Sequence, residues 1–83
     1  MNIKVYTLSA CVQCDSTKRF LDKHLIQYEE VSLNRSPKAR ERVQELGYTQ
    51  APVIEAGDQH WSGFRLERLQ GIVNAIHGKE FKA

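Results

Sequence analysis

The two cysteines of this chain, Cys11 and Cys14, stand near its start with only Val12 and Gln13 between them. An apolar run, Ile3-Lys4-Val5-Tyr6-Thr7-Leu8, leads into the pair, and Asp15-Ser16-Thr17-Lys18-Arg19-Phe20-Leu21 leads out of it. The first stretch reads as a strand and the second as a helix. A C-x-x-C pair at a strand-to-helix turn is the mark of thiol–disulfide chemistry. A helix N-terminus carries unpaired N–H groups and the positive end of the macrodipole, and both favour a thiolate over a thiol. With two residues between them in a first helical turn, the sulfurs can close a disulfide within its geometric limits.

Placement separates the two sulfurs. Cys11 lies at or just before the first helical turn, where it can meet solvent and a partner, and is assigned as the attacking thiolate. Cys14 lies one turn further in, beside Thr17 and Phe20 at helical spacing. It is expected to be more buried and is assigned as the resolving thiol, which attacks the mixed disulfide. The residues alone leave two other readings open: a pair of inert core cysteines, or half of a zinc site completed by two of His24, His60 and His77. Structural zinc usually brings a second close-spaced ligand pair, and the sequence has none.

At 83 residues the chain makes one domain, spanning 1–83, with one core and little more. A net charge of +2 is too mild to argue for nucleic acid. Met1-Asn2-Ile3-Lys4 lacks the basic start and long apolar core of a signal peptide. No apolar run approaches membrane-spanning length. The expectation is a monomer in a reducing cytoplasm, where a cysteine pair is more often catalytic than structural.

The stretch from Asn2 to Leu8 lacks clean alternation, which suits a central strand covered on both faces. The helix after it carries Thr17, Phe20, Leu21, His24 and Leu25 as its buried stripe. Residues 27–33 read as a second, more exposed strand. Ser36 and Pro37 start a second helix as N-cap and first helical residue. Ala39, Val43 and Leu46 form its buried side and Gly47 its C-terminal cap. Residues 50–56 read as a strand that opens on Pro52, as a residue without an N–H requires. Gly57-Asp58 makes a hairpin, and Gln59-His60-Trp61 returns. Ser62-Gly63 opens a third helix with Leu66, Leu69, Ile72, Val73 and Ile76 facing inward. Gly71 inside it suggests close packing, because glycine there costs about 1 kcal/mol against alanine. Gly78 stops the helix, and the chain from there to Ala83 is expected to fray. The order β-α-β-α-β-β-α predicts an α/β fold of the thioredoxin-like kind, a mixed four-stranded sheet with three helices. Its C-x-x-C lies at the carboxyl end of the first strand, where open α/β sheets bind ligands.

From Ile3 to about Ile72 the sequence resembles the NrdH-type redoxins, glutaredoxin-like electron donors to class Ib ribonucleotide reductase. Four stretches carry the resemblance: Cys11-Val12-Gln13-Cys14, Thr17-Lys18-Arg19, Ala51-Pro52-Val53 and Trp61-Ser62-Gly63-Phe64-Arg65. The last is the most specific, since generic glutaredoxins do not share it. The family usually follows Phe-Arg with proline, and Leu66 stands here instead.

The resemblance implies that Pro52 is cis and that its loop stands opposite Cys11, with the Ala51 backbone free to pair with an extended substrate segment. It also implies that Val12, Gln13, Trp61, Ser62, Gly63 and Phe64 line the substrate groove. For Trp61 and Phe64 the plain alternative is core packing. Glutathione-using relatives place a Gly-Gly pair and an acid at the third helix start, where N–H groups hold the glutathione carboxylate. The corresponding run here is Ser62-Gly63-Phe64-Arg65, bulkier and without the acid. Reduction by thioredoxin reductase is therefore implied, with no cofactor bound to this chain and with FAD and NADPH belonging to that enzyme. The large subunit of ribonucleotide reductase is the implied target. Two alternatives stand beside it: a glutathione-dependent glutaredoxin with broader substrates, and a redox-sensing transcriptional regulator of the arsenate-reductase-like group. The regulators normally carry an extra helical segment, for which 83 residues leave no room.

Overall fold

The computed structural model describes residues 2–78. The elements run β1 (Ile3–Thr7), α1 (Val12–Lys23), β2 (Glu29–Ser32), α2 (Pro37–Glu45), β3 (Val53–Ala56), β4 (Gln59–Ser62) and α3 (Leu66–His77). They form one four-stranded sheet in the order β2-β1-β3-β4. β1 pairs parallel with β2 and antiparallel with β3, and β3 pairs antiparallel with β4. This is the expected mixed sheet with three helices and a thioredoxin-like order.

β1 is central and covered on both sides, which explains its continuous apolar run. Ile3 and Val5 join Ile54, Ala56, Trp61 and the buried faces of α1 and α3 in one cluster. Tyr6 joins Val53, Leu33, Ala39 and Val43 beneath α2 in the other. The short strand β2 is largely exposed, as its polarity foretells.

The caps of α2 follow its sequence signals. Ser36 accepts from the Ala39 N–H at 3.1 Å, and Pro37 opens the helix. Gly47 takes φ 89 just past the end, where its N–H donates to the Gln44 carbonyl and that of Tyr48 to the Val43 carbonyl. That is a Schellman closure with glycine at the left-handed position.

Four expectations need correction. Leu25 is not on the buried stripe of α1: it is 84% exposed and lies beyond the helix at φ 57. It occupies the left-handed slot of a second Schellman closure, in which Leu25 N–H donates to Asp22 and Ile26 N–H to Leu21. Ile26, one residue on, takes the core position instead. Second, α3 starts at Leu66 and not at Ser62-Gly63, because Ser62 still pairs with Val53 in the sheet and Gly63 turns the chain at φ 91. Third, Leu66 and Ile76 are exposed at the two ends of α3, while Leu69, Ile72 and Val73 are buried. Fourth, Gly71 faces open space, and an added Cβ would meet nothing within 4 Å. Gly78 caps α3 in the right-handed conformation. The remainder of the expected frayed tail, 79–83, lies outside the described residues.

Candidate active site

β1 hands the chain to the cysteine pair through a tight turn. Ala10 sits at φ 55, a region few residues other than glycine adopt. The turn is held from the β2–α2 connection, where the Asn34 carboxamide oxygen accepts from the Ser9 N–H at 2.9 Å and the Ser9 hydroxyl at 3.1 Å. Cys11 is then extended and becomes the N-cap of α1. Its sulfur accepts from the Cys14 N–H at 3.1 Å. A cap acceptor satisfies one of the N–H groups that a first helical turn leaves unpaired. Here the acceptor is the sulfur itself, so the same contact steadies a thiolate.

Cys11 is half-buried and Cys14 is 1% exposed. They are joined as a disulfide with their Cα atoms 5.2 Å apart. The buried Thr17 donates its hydroxyl to the Gln13 carbonyl at 2.9 Å and fixes the turn between the sulfurs.

A second group of bonds ties this turn to two distant segments. Gln13 Oε1 accepts from the Phe64 N–H at 3.0 Å. The neighbouring Gly63 N–H donates to the Pro52 carbonyl at 2.8 Å, and the Ala51–Pro52 peptide bond is cis, as expected. The Ser62 hydroxyl donates to the Gln50 carbonyl at 2.8 Å. The cysteine turn, the proline loop and the β4–α3 loop are thereby stitched together. Gly63 is needed there for its positive φ; a Cβ would meet Gln13 Oε1 only at an ordinary 3.5 Å.

The predicted groove residues divide. Val12 is 80% exposed, Gln13 and Phe64 are exposed, and Ala51, Ser62 and Gly63 are half-buried around the buried Pro52. Trp61 does not line the groove: it is 2% exposed, inside the α1/α3 core. The register explains this. Trp61 stands beside Ile54, which stands beside Val5, and alternate residues of a strand point to opposite faces. Arg68 covers its ring at 5.4 Å from the centroid.

The electrostatics near the junction centre on Glu30. Its carboxylate accepts from Lys18 at 3.1 Å and from the buried Thr7 hydroxyl at 3.0 Å. These bonds, that of Lys18 foremost, hold the Glu30 carboxyl below the usual range. They join the end of β1, the edge strand β2 and α1. Asn34 and Lys18 were missed as supports of the site. Only Asn34 had a local signal, since Asx side chains in turns accept backbone N–H groups. Among the described residues no cluster of three His, Cys, Asp or Glu side chains could hold a metal, and no helix is long and apolar enough to cross a membrane.

Comparisons with known proteins converge on one family. Residues 3–61 match the glutaredoxin family. The Escherichia coli glutaredoxin-like protein NrdH is 39% identical over 77 residues, covering 93% of this chain and 95% of that protein. The Lactococcus lactis glutaredoxin-like protein NrdH is 37% identical over 67 residues, covering 81% of this chain and 93% of its own. The solved E. coli NrdH-redoxin, described as glutaredoxin-like with a thioredoxin-like activity profile, superimposes with a TM-score of 0.84. It is 39% identical, and the match covers 87% of this chain and 95% of that one.

Proposed function

This chain belongs to the glutaredoxin family, in its NrdH-redoxin branch, and we propose that it is an electron donor to ribonucleotide reductase of class Ib, itself reduced by thioredoxin reductase. The observation that carries the chemistry is the unequal burial of a disulfide pair at a helix N-terminus, with Cys11 half-buried as the cap and Cys14 sealed behind it. The Cys11 thiolate attacks a disulfide on the large subunit of the reductase. A mixed disulfide forms and one target sulfur leaves as a thiolate. The Cys14 thiolate then attacks the Cys11 sulfur and the second target sulfur leaves. The target gains two electrons and two protons, and the Cys11–Cys14 disulfide remains. The electrons are carried by the dithiol, without a bound cofactor. Thioredoxin reductase returns two electrons from NADPH through its own FAD. The protein works as a monomer in the cytoplasm.

The choice of reductase is supported by the Ser62-Gly63-Phe64-Arg65 run in place of a glutathione-binding loop, and by the thioredoxin-like activity profile described for the E. coli relative. Val12, Gln13, Ala51, Ser62, Gly63 and Phe64 are assigned to the docking rim around Pro52. The test supplies oxidised protein either with NADPH and thioredoxin reductase, or with NADPH, glutathione and glutathione reductase. Fast turnover is expected only in the first mixture, and comparable rates in both would overturn the reading.

The two roles are tested separately by Cys14→Ser. Serine is nearly as large but cannot attack sulfur, so the mixed disulfide should accumulate on non-reducing gels. Cys11→Ser should trap little. A better trap from Cys11→Ser would reverse the assignments.

A further inference from the structure

The Phe64 N–H lies at the entry to α3, one residue before the N-cap Arg65, whose side chain makes no cap bond and donates instead to the Ser62 carbonyl at 3.2 Å. Its neighbour, the Gly63 N–H, is already committed to the Pro52 carbonyl. Phe64 N–H is committed at 3.0 Å to Gln13, an exposed residue between the two cysteines whose side chain makes no other hydrogen bond among the described residues. A backbone N–H beside a helix N-terminus is the kind of group that binds a carboxylate. A carboxamide oxygen is the neutral counterpart of a carboxylate oxygen.

We propose that Gln13 is a specificity-determining residue: its amide oxygen occupies the Phe64 N–H and so denies an anchor to the carboxylate of a small thiol peptide, while the exposed rim at Val12 and Phe64 stays open to an extended protein segment. This rests on the thioredoxin-reductase reading and gives it a residue. Reduction by glutathione would need two exchanges. In the first, one glutathione thiolate attacks the Cys11 sulfur and Cys14 leaves as a thiolate. In the second, another glutathione thiolate attacks the glutathione sulfur of the mixed disulfide, Cys11 leaves as a thiolate, and glutathione disulfide departs. The protein gains two electrons, and each glutathione loses one. Both exchanges need the peptide held beside Cys11, and Gln13 occupies the N–H that would hold it.

Gln13→Met keeps the side-chain length and removes the acceptor; Gln13→Glu keeps an acceptor. Amide exchange at Phe64 is followed by NMR, and kcat/KM is measured with glutathione and with thioredoxin reductase as the source of electrons. In Gln13→Met the Phe64 amide should lose protection, and the ratio of glutathione-driven to reductase-driven kcat/KM should rise about tenfold, the worth of one charge-assisted hydrogen bond. Gln13→Glu, whatever its added charge does to either rate alone, should keep the Phe64 amide protected and should not show the rise in the ratio. A freed Phe64 amide with an unchanged ratio overturns the proposal. So does a Phe64 amide that stays protected in Gln13→Met, or a ratio that rises equally in both variants. A parent protein that glutathione already reduces as fast as thioredoxin reductase does would instead overturn the reading on which the proposal rests.

Discussion

The two faces of the sheet are finished by different means. On one side α1 and α3 close over ten buried apolar residues, among them Leu21 and Leu69 at 0% exposure. On the other, α2 has only nine residues and covers a cluster of five. It leaves a groove of about 640 Å³ toward the N-terminal end of β1, lined by Lys4, Tyr6, Glu29, Arg42 and Glu55. There the surface is completed by polar bonds. The Tyr6 hydroxyl donates to Glu55 at 2.7 Å, and Arg42 grips the same carboxylate through two nitrogens at 3.1 and 2.9 Å. Arg42 holds the Glu55 carboxyl down at about 2, and burial, helped by Glu55, pushes the Tyr6 phenol up to about 12. One face is sealed by excluding water, the other by directed charge. Two helices can bury a sheet; one short helix needs help from side chains.

The largest effect should come from the apolar face. Leu69→Ala should cost about 2–5 kcal/mol, because a side chain with no exposure leaves a cavity its neighbours cannot close. Chemical denaturation at pH 7 and pH 4 should return the same loss, since no charge is involved; a loss that changes with pH would blur the contrast. Glu55→Gln comes next. Arg42 is half exposed, so solvent screens the pair and the loss at pH 7 should be about 1–2 kcal/mol. Because the folded carboxyl titrates at about 2 against an ordinary 4.5, its contribution is full above pH 4.5 and lost as pH falls toward 2. The variant should therefore show a flatter acid limb than the parent. The limb will not vanish, since Glu30 on the α1 side is also held low. An acid limb that Glu55→Gln leaves unchanged would place the charge dependence elsewhere. The smallest effect is a gain. Gly71→Ala, on the solvent side of α3, should stabilise by about 0.5–1 kcal/mol, seen as a higher melting temperature. A loss there would mean that α3 is packed on both sides.

Much of this was legible from local chemistry. Cys11 and Cys14 at the strand end, Ser36 and Pro37 at the start of α2, Gly47 at its end and the Gly57-Asp58 hairpin each announce themselves within a few residues. What was not legible depends on distant partners. Trp61 turns inward because β4 continues to Ser62 in register with β3, and that register also delays α3 to Leu66. The sequence around Trp61 is equally compatible with a groove. Leu25 fills a left-handed slot where glycine would be expected, so the sequence reads as a helix running on through it. The supports of the site are longer-range still: Asn34 reaches back 25 positions to Ser9, and Gln13 meets Phe64 across 51. A periodicity argument sees neither, since each bond ends on a loop far away in the sequence.

The buried indole has an optical consequence. Trp61 is the chain's one tryptophan and is 2% exposed beneath Arg68. Its emission should be shifted to short wavelength, and quenchers dissolved in water should reach it only when the core opens. Intrinsic fluorescence in this protein is therefore a gauge of the α1/α3 core. A partner that docks on the rim at Val12 and Phe64 should change that light far less than opening the core does.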